Sequence, residues 1–437
     1  MAHSNLVTQF LQTVCSAVHW KKAHSAIVRE LSDHIADQKE AYIASGMPPE
    51  EAEQEAVHQM GDPQLLGRQF DAVYRPRTHW SLLLCILLLL GGGVFLRFLL
   101  PGVQTSSRLI GTIVGLALAA AAYYTDFRFL CARWVMPVYL LCLLLCGWQS
   151  VRINGTSFAV SHLLLLAPLP LCGCIYRCKG AAWRGLLECM AAAVLPFAAS
   201  LLLESSPAAL VMSGATCFLL LAWAAGCGWF SLPRWQSLPA ILIPALLAGV
   251  WIVVSFSHRL LPVLFPALDP QGAGFSTLTV RSLLSGAQWI GPSAAFAENA
   301  AWIPTYHYSF LLTWLIARYG WISLFPVCAL FLWLIVHGAL LARAQNSFFA
   351  KLVSAAALCI FSLQVLAYIS ANCGLLFTVY FPLPLLSGGN YSMLVNLPLL
   401  GILLSVLRHG SLYTDTVAAP RLPLFTYSDG VLTLRLK

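Results

Sequence analysis

From Trp80 to about Leu407 the chain is one apolar stretch after another, and only five acids interrupt them: Asp126, Glu188, Glu204, Asp269 and Glu298. Ten of the other twelve acids lie before residue 80. A membrane-crossing helix needs roughly 20 apolar residues. Ten stretches qualify, at 80–100, 108–125, 135–149, 158–176, 184–203, 207–230, 238–257, 320–342, 352–376 and 392–408. Helices are the expected spanning element, because in lipid each backbone donor must be satisfied within its own segment. Only 10% of the residues are charged, against about 25% in soluble proteins. The expected fold class is all-α: a polytopic membrane protein with about ten transmembrane helices and a small N-terminal cytoplasmic helical domain.

The first twenty residues lack a basic start followed by an apolar core, so the span at Trp80 is expected to serve as the insertion signal. The net charge of +8 is spread over loops and does not point to nucleic acid. With the head in the cytoplasm, the inner loops carry Arg128, Arg133, Arg177, Lys179, Arg184, Arg234, Arg343, Lys351 and Arg408, while the outer loops carry only Arg108, Arg152, Arg259 and Arg281. That bias and the even number of spans both place the N- and C-termini in the cytoplasm. Most of the fourteen cysteines fall in spans or near the inner face, where cysteine acts as a small hydrophobe. Cys172, Cys174 and Cys178 cluster without a histidine, which does not suit zinc. No metal and no cofactor are expected.

Residues 1–79 read as a helical domain. Ile27, Leu31 and Ile35 make one apolar face, with Glu30, Asp33, Asp37 and Glu40 opposite. Gly46 ends that helix, and Pro48-Pro49 opens the next with Glu50, Glu51 and Glu53 in its first turn. Gly61 stops it. Asp62-Pro63 caps a third helix with Leu65, Leu66 and Phe70 inward. The stretch from Glu30 to Arg77 resembles the permease-prefix domain of bacterial membrane proteins, which implies regulation or protein contact.

The carboxyl half carries the chemistry. Residues 258–305 form a long polar interval that the topology puts outside the cell, and loops of this length are commonly functional. The run IPTYHYSFLLTWLIARYGWISLFPV at 303–327 reads as a helix broken at Arg318-Tyr319-Gly320. After the ninth span come Asn372-Cys373-Gly374-Leu375-Leu376 and then FPLPLLSGGNYS at 381–392. Its prolines forbid a regular helix, and its glycines allow backbone amides to face a ligand.

These pieces resemble the SEDS family (shape, elongation, division and sporulation proteins, also called FtsW/RodA/SpoVE). The family's pattern before the tenth span appears as Asn372, Gly374, Leu375, Leu376, Pro382, Pro384, Ser387, Gly389 and Ser392. RSLLSGAQWIG at 281–291 resembles its external-loop glycine stretch, and GTSFAVSHLLLL at 155–166 its fourth span. The likeness covers about 80–408. It implies ten spans, an external loop at 258–305, a cytoplasmic tail at 409–437 and a place in the bacterial inner membrane. It also implies a role in peptidoglycan synthesis during cell division, cell shape or sporulation, with a lipid II-like polyprenyl-pyrophosphate precursor at the outer face, membrane lipid around it and a class B penicillin-binding partner.

In that family a Thr-Asp-Phe-Ile-Phe aspartate after the external loop is regarded as essential. Here its place is taken by Ser309, in Tyr308-Ser309-Phe310-Leu311-Leu312, and a lone hydroxyl is a weak base. The Pro-Ser-Glu-x-x-Lys motif appears as Val160-Ser161-His162-Leu163-Leu164-Leu165, so His162 stands for the glutamate and Leu165 for the lysine. Pro-Asp-Leu-Gly appears as Ser205-Ser206-Pro207-Ala208. Two readings follow. Either a rearranged site still polymerises glycan, with Glu298 and His307 as substitute bases beside Ser309, or the chain is a non-catalytic binding or scaffold subunit. Substrate contacts in both would come from Arg152, His162, Arg259, Arg281, Arg318, Asn372, Ser387 and Gly389, since guanidinium groups match phosphate oxygens. A flippase or transporter is a third reading, without support from inverted repeats. In the tail, LPLFTYSDGVLTLRLK alternates about Ser428-Asp429-Gly430, a hairpin signal.

Overall fold

The computed structural model separates into two compact units, Met1–Thr78 and His79–Lys437. It describes residues 5–74, 78–99, 106–149, 152–153, 156–257, 261, 264–272, 274–293, 309–375, 381–409, 425–428 and 431–434.

In the first unit, α1 (Asn5–Ala17), α2 (His24–Ala44), α3 (Pro49–Gln59) and α4 (Pro63–Tyr74) share one small core. Val7, Phe10, Leu11 and Val14 bury one stripe of α1, at the 3–4 residue spacing of a helix face. This first helix was not expected. Ile27, Leu31 and Ile35 line the same core. Gly46 and Gly61 take positive φ, +96° and +78°, at the two helix ends. One expectation fails: Leu65 is exposed at 57%. The stripe of α4 that meets α1 contains Gly67, where a Cβ would lie 2.7 Å from Val14 O, and the position two residues earlier turns away. Lys39 of α2 pairs with Glu53 of α3, and His19 N donates to Asp71 Oδ1 at 2.8 Å.

The second unit is an all-α polytopic membrane fold. Its helices are α5 (Trp80–Leu99), α6 (Ser106–Tyr124), α7 (Val135–Gln149), α8 (Phe158–Leu164), α9 (Pro168–Arg177), α10 (Ala182–Leu202), α11 (Pro207–Gly226) and α12 (Arg234–Ser255). They continue with α13 (Phe275–Ser285), α14 (Leu311–Tyr319), α15 (Leu324–Arg343), α16 (Phe348–Asn372) and α17 (Asn390–His409). Among the described residues, eight helical segments are long and apolar enough to cross a membrane, and Ile110–Tyr124 and Val135–Gln149 are shorter apolar helices.

The fourth span is interrupted. Leu165, Leu166 and Ala167 donate to His162, Leu163 and Leu164, three residues back, which tightens the turn before Pro168. Pro168 has no N–H to continue the ladder. α16 lies at the centre of the bundle, against α9, α11, α15 and α17. At the other extreme, only 11% of α12 is buried. Its Leu242, Ile243, Leu246, Leu247 and Val250 are exposed, as suits a lipid-facing helix.

α6 and α17 run parallel in close contact. A Cβ on Gly111 would lie 2.5 Å from Asn390 Oδ1, one on Gly115 would lie 2.8 Å from Met393 O, and one on Gly401 would lie 2.5 Å from Ala119 O. Glycines four residues apart let helix backbones approach closely in lipid. Two short antiparallel pairs complete the described structure. β1 (Arg152–Ile153) pairs with β2 (Thr156–Ser157), and β3 (Phe425–Ser428) pairs with β4 (Val431–Leu434) in the tail.

Candidate functional site: a polar layer at one end of the bundle

The polar interval is partly ordered by its own helix. Val280 and Leu283 of α13 bury themselves against Phe310, and Ser293 Oγ donates to Leu283 O at 3.3 Å. The chain after α13 then runs along the break between α14 and α15. Ser293 N donates to Ala317 O, Gly291 N to Tyr319 O, Trp321 N to Gln288 O and Ile322 N to Trp289 O. Gly320 makes this junction, with φ +92° and ψ 172° and a hypothetical Cβ 2.5 Å from Trp289 O. That backbone region is essentially glycine-only and costs of order 1–3 kcal/mol otherwise. Gly320→Ala is therefore expected to destabilise the membrane unit by about 2 kcal/mol; an unchanged melting temperature in detergent would count against this geometry.

α14 begins inside the bundle, so its first N–H groups have no water to meet. They are capped by α16. Tyr368 Oη accepts Leu311 N–H at 2.9 Å, and Asn372 Oδ1 accepts Thr313 N–H at 3.0 Å. Tyr368 and Asn372 are one turn apart, so a single helix face supplies both caps. Asn372 Nδ2 donates to Ser309 O at 2.9 Å and to Tyr368 O at 3.0 Å. Thr313 Oγ1 donates to Asn372 O at 2.9 Å. Asn372 and Thr313 are fully buried, and Ser309 is nearly so. Ser387 Oγ donates to Leu383 O at 3.2 Å. Gly374, at φ +69°, ends α16, and its carbonyl accepts from Arg281 Nε at 3.1 Å.

Beside this network runs the irregular segment 381–389. Gly389 leaves room for Pro382, whose Cγ would sit 2.7 Å from a Cβ there. Leu385 has φ +67° and is fully buried. Its carbonyl lies against Gly93 of α5, where a Cβ would be 2.6 Å away. The Phe381 ring meets His162 at 4.9 Å, and the Tyr391 ring meets it at 6.1 Å. α8 is capped by Ser157, whose Oγ accepts Val160 N–H. Ser157 N donates to Glu204 O, and Ser161 Oγ accepts Ser206 N–H at 2.8 Å.

The structure thus brings together Ser309, Asn372, Ser387 and Arg281, with Gly389 and His162 on the adjoining segment. Their roles differ from simple ligand contacts. Asn372 and Ser387 hold backbone, and Arg281 clamps the end of α16. Arg318 is exposed in the last turn of α14, where a cation faces the helix carbonyls. Arg152 lies on β1 opposite Ser157; its side chain, with Arg259, Glu298 and His307, is outside the described residues. Three features were missed in the sequence. Tyr368 and Thr313 complete the caps. Arg97, in the last turn of α5, is 4% exposed and donates to Thr112 Oγ1 at 3.5 Å. Glu204 sits at positive φ beside β2.

Residues 171–412 match the signature of the FtsW/RodA/SpoVE family, described as cell cycle proteins. The chain belongs to this family. It is a multi-pass membrane protein of the bacterial inner membrane. Over 207 residues it is 24% identical to the peptidoglycan glycosyltransferase MrdB of Escherichia coli (strain K12), a match covering 46% of this chain and 54% of MrdB. The chain therefore spans about half the length of the curated MrdB relatives that it matches. The probable peptidoglycan glycosyltransferase FtsW of Thioalkalivibrio sulfidiphilus is 27% identical over 383 residues, 78% of this chain and 92% of that one. Two solved structures share the fold. A chain from a peptidoglycan synthase complex that coordinates polymerization and crosslinking aligns with TM-score 0.60 at 20% identity, over 76% of this FtsW/RodA/SpoVE chain and 98% of its own length. The rod shape determining protein RodA of Thermus thermophilus aligns with TM-score 0.54 at 19% identity, over 76% and 97%.

Proposed function

We propose that this family member serves peptidoglycan assembly by binding a lipid II-like polyprenyl-pyrophosphate precursor beside segment 381–391, without polymerising it. Ser309 carries the reading. Where the family's motif has an aspartate, this chain has a nearly buried hydroxyl whose neighbours already satisfy one another. Three of the four described carboxylates of the membrane unit are engaged locally, Asp126 with Arg128, Glu188 with Arg184 and Asp269 with Gly272 N–H, and the fourth, Glu204, lies beside β2. Transfer of a sugar needs a base for the acceptor hydroxyl. What remains is a shaped polar layer in a lipid-embedded bundle, suited to holding an amphipathic precursor. The cationic loop bias puts this layer on the outer face, with both termini and the 1–79 head in the cytoplasm. A class B penicillin-binding protein is the proposed partner, and the head is the proposed regulatory input.

The test is the purified full-length protein with lipid II, alone and with a candidate transpeptidase. Binding without glycan strands is expected. Strands that vanish on Glu298→Ala or His307→Ala would instead establish a rearranged catalytic site. Gradient-driven uptake of a solute into proteoliposomes would falsify both and indicate transport.

A further inference from the structure

His162 lies in the last turn of α8 and is 3% exposed. Its Nδ1 is 2.8 Å from the carbonyl oxygen of Phe158. A carbonyl oxygen only accepts, so Nδ1 carries the ring proton. The other nitrogen of the neutral imidazole, Nε2, then offers a lone pair and no proton. That atom is buried and has no hydrogen-bond partner among the described residues. The rings packed against the imidazole belong to Phe381, at 4.9 Å where the irregular segment begins, and Tyr391, at 6.1 Å in the first turn of α17. A buried acceptor without a donor is costly and calls for a partner.

The surroundings repeat the pattern. Ser205 Oγ is also buried without a partner among the described residues. It precedes Ser206, whose N–H donates to Ser161 Oγ at 2.8 Å, and Ser161 precedes His162. Two buried polar atoms are thus left open on adjoining strands of chain, while the polar groups between them are paired. Ser161 Oγ donates to Ser157 O at 2.7 Å, and Ser157 Oγ caps Val160.

We infer that Nε2 of His162 is the acceptor for a hydroxyl or amide N–H on the sugar portion of the bound precursor, and that it does not contact the pyrophosphate. A fully ionised phosphate oxygen has no proton to give to a lone pair. The ligand group that completes this position must be a donor, and the sugar is the donor-rich part of a polyprenyl-pyrophosphate glycolipid. The inference rests on the binding role proposed above.

The experiment uses the full-length protein in lipid nanodiscs with two probes, undecaprenyl-pyrophosphoryl disaccharide without its peptide and sugar-free undecaprenyl pyrophosphate. His162→Leu is expected to weaken the sugar-bearing probe about tenfold, the scale of one lost hydrogen bond, and the sugar-free probe by less than about twofold. His162→Gln, whose Oε1 can stand near Nε2, restores most of the difference. Equal loss on both probes, or no loss on either, overturns the inference and leaves the binding role standing. Wild-type protein that binds neither probe overturns both. If the variants fail to fold, 15N spectra of histidine-labelled wild-type protein decide. A protonated Nδ1, with a bare Nε2 that shifts only with the sugar-bearing probe, supports the assignment. A protonated Nε2 in the unliganded protein overturns it.

Discussion

Asn372→Ala is expected to lower the stability of the membrane unit by about 2–4 kcal/mol. The side chain accepts from Thr313 N and donates to Ser309 O and Tyr368 O, all inside the bundle. Interhelical hydrogen bonds in lipid average about 0.6 kcal/mol and reach about 1.7. A buried group left without any partner costs about 1–3 kcal/mol. The alanine variant loses its bonds to Thr313 and Ser309 as well as the one to Tyr368 O within α16, and strands the Thr313 N–H, so the second term dominates. The effect should be local: the start of α14 detaches from α16, and the 309–320 segment becomes open to protease before the bundle melts. Asn372→Asp keeps the acceptor but loses both donations, so it should not rescue. Tyr368→Phe removes the Leu311 cap, and about 1–2 kcal/mol is expected. Melting curves and time-resolved proteolysis of the three proteins check the order. Equal stability of wild type and Asn372→Ala would remove the cap from the description of this site.

Gly115→Leu is expected to separate α6 from α17 and to cost about 3 kcal/mol or more. Even a Cβ at this position would approach Met393 O to 2.8 Å and the Leu397 side chain to the same distance. Backbone cannot rotate away as a side chain can, so the whole of α17 must move. Because α17 starts at Asn390, directly after segment 381–389, the displacement reaches the Phe381 and Tyr391 rings around His162. Loss of precursor binding should therefore accompany the loss of stability. Gly91→Leu is the matched control, since nothing among the described residues lies within 4 Å of a Cβ there. A Gly115→Leu protein that melts like the control would show that the pair tolerates a gap.

The spans were readable in the sequence because lipid imposes one requirement, length of apolar helix, that few other pressures imitate. The ten stretches reappear as helices, with the fourth broken where Pro168 interrupts the ladder. Its two prolines were visible, but hydrophobicity alone does not report a missing donor. The α1 stripe of Val7, Phe10, Leu11 and Val14 was equally visible in principle; it lacks the proline and glycine punctuation that marks the later head helices. In the site, Asn372, Gly374, Ser387 and Gly389 stood out as a motif. Their partners did not. Tyr368 meets Leu311, and Thr313 meets Asn372, only because a helix 57 to 59 residues earlier in the chain begins against α16, and no local pattern encodes those meetings. Arg97 looks in sequence like an ordinary flanking cation, and only packing shows it buried beside Thr112.

The parallel pairing of α6 and α17 has a consequence for biogenesis. Ser405 Oγ donates to Thr125 O at 2.7 Å, and the two residues are 280 positions apart in the chain. At about 5–20 residues per second, a ribosome needs about 15–60 s to deliver the second helix after the first has entered the bilayer. Through that interval the Gly111–Gly115 groove has no native occupant. Nascent chains arrested before residue 390 should therefore be held by an insertase or self-associate through that groove, and release should coincide with emergence of the last span.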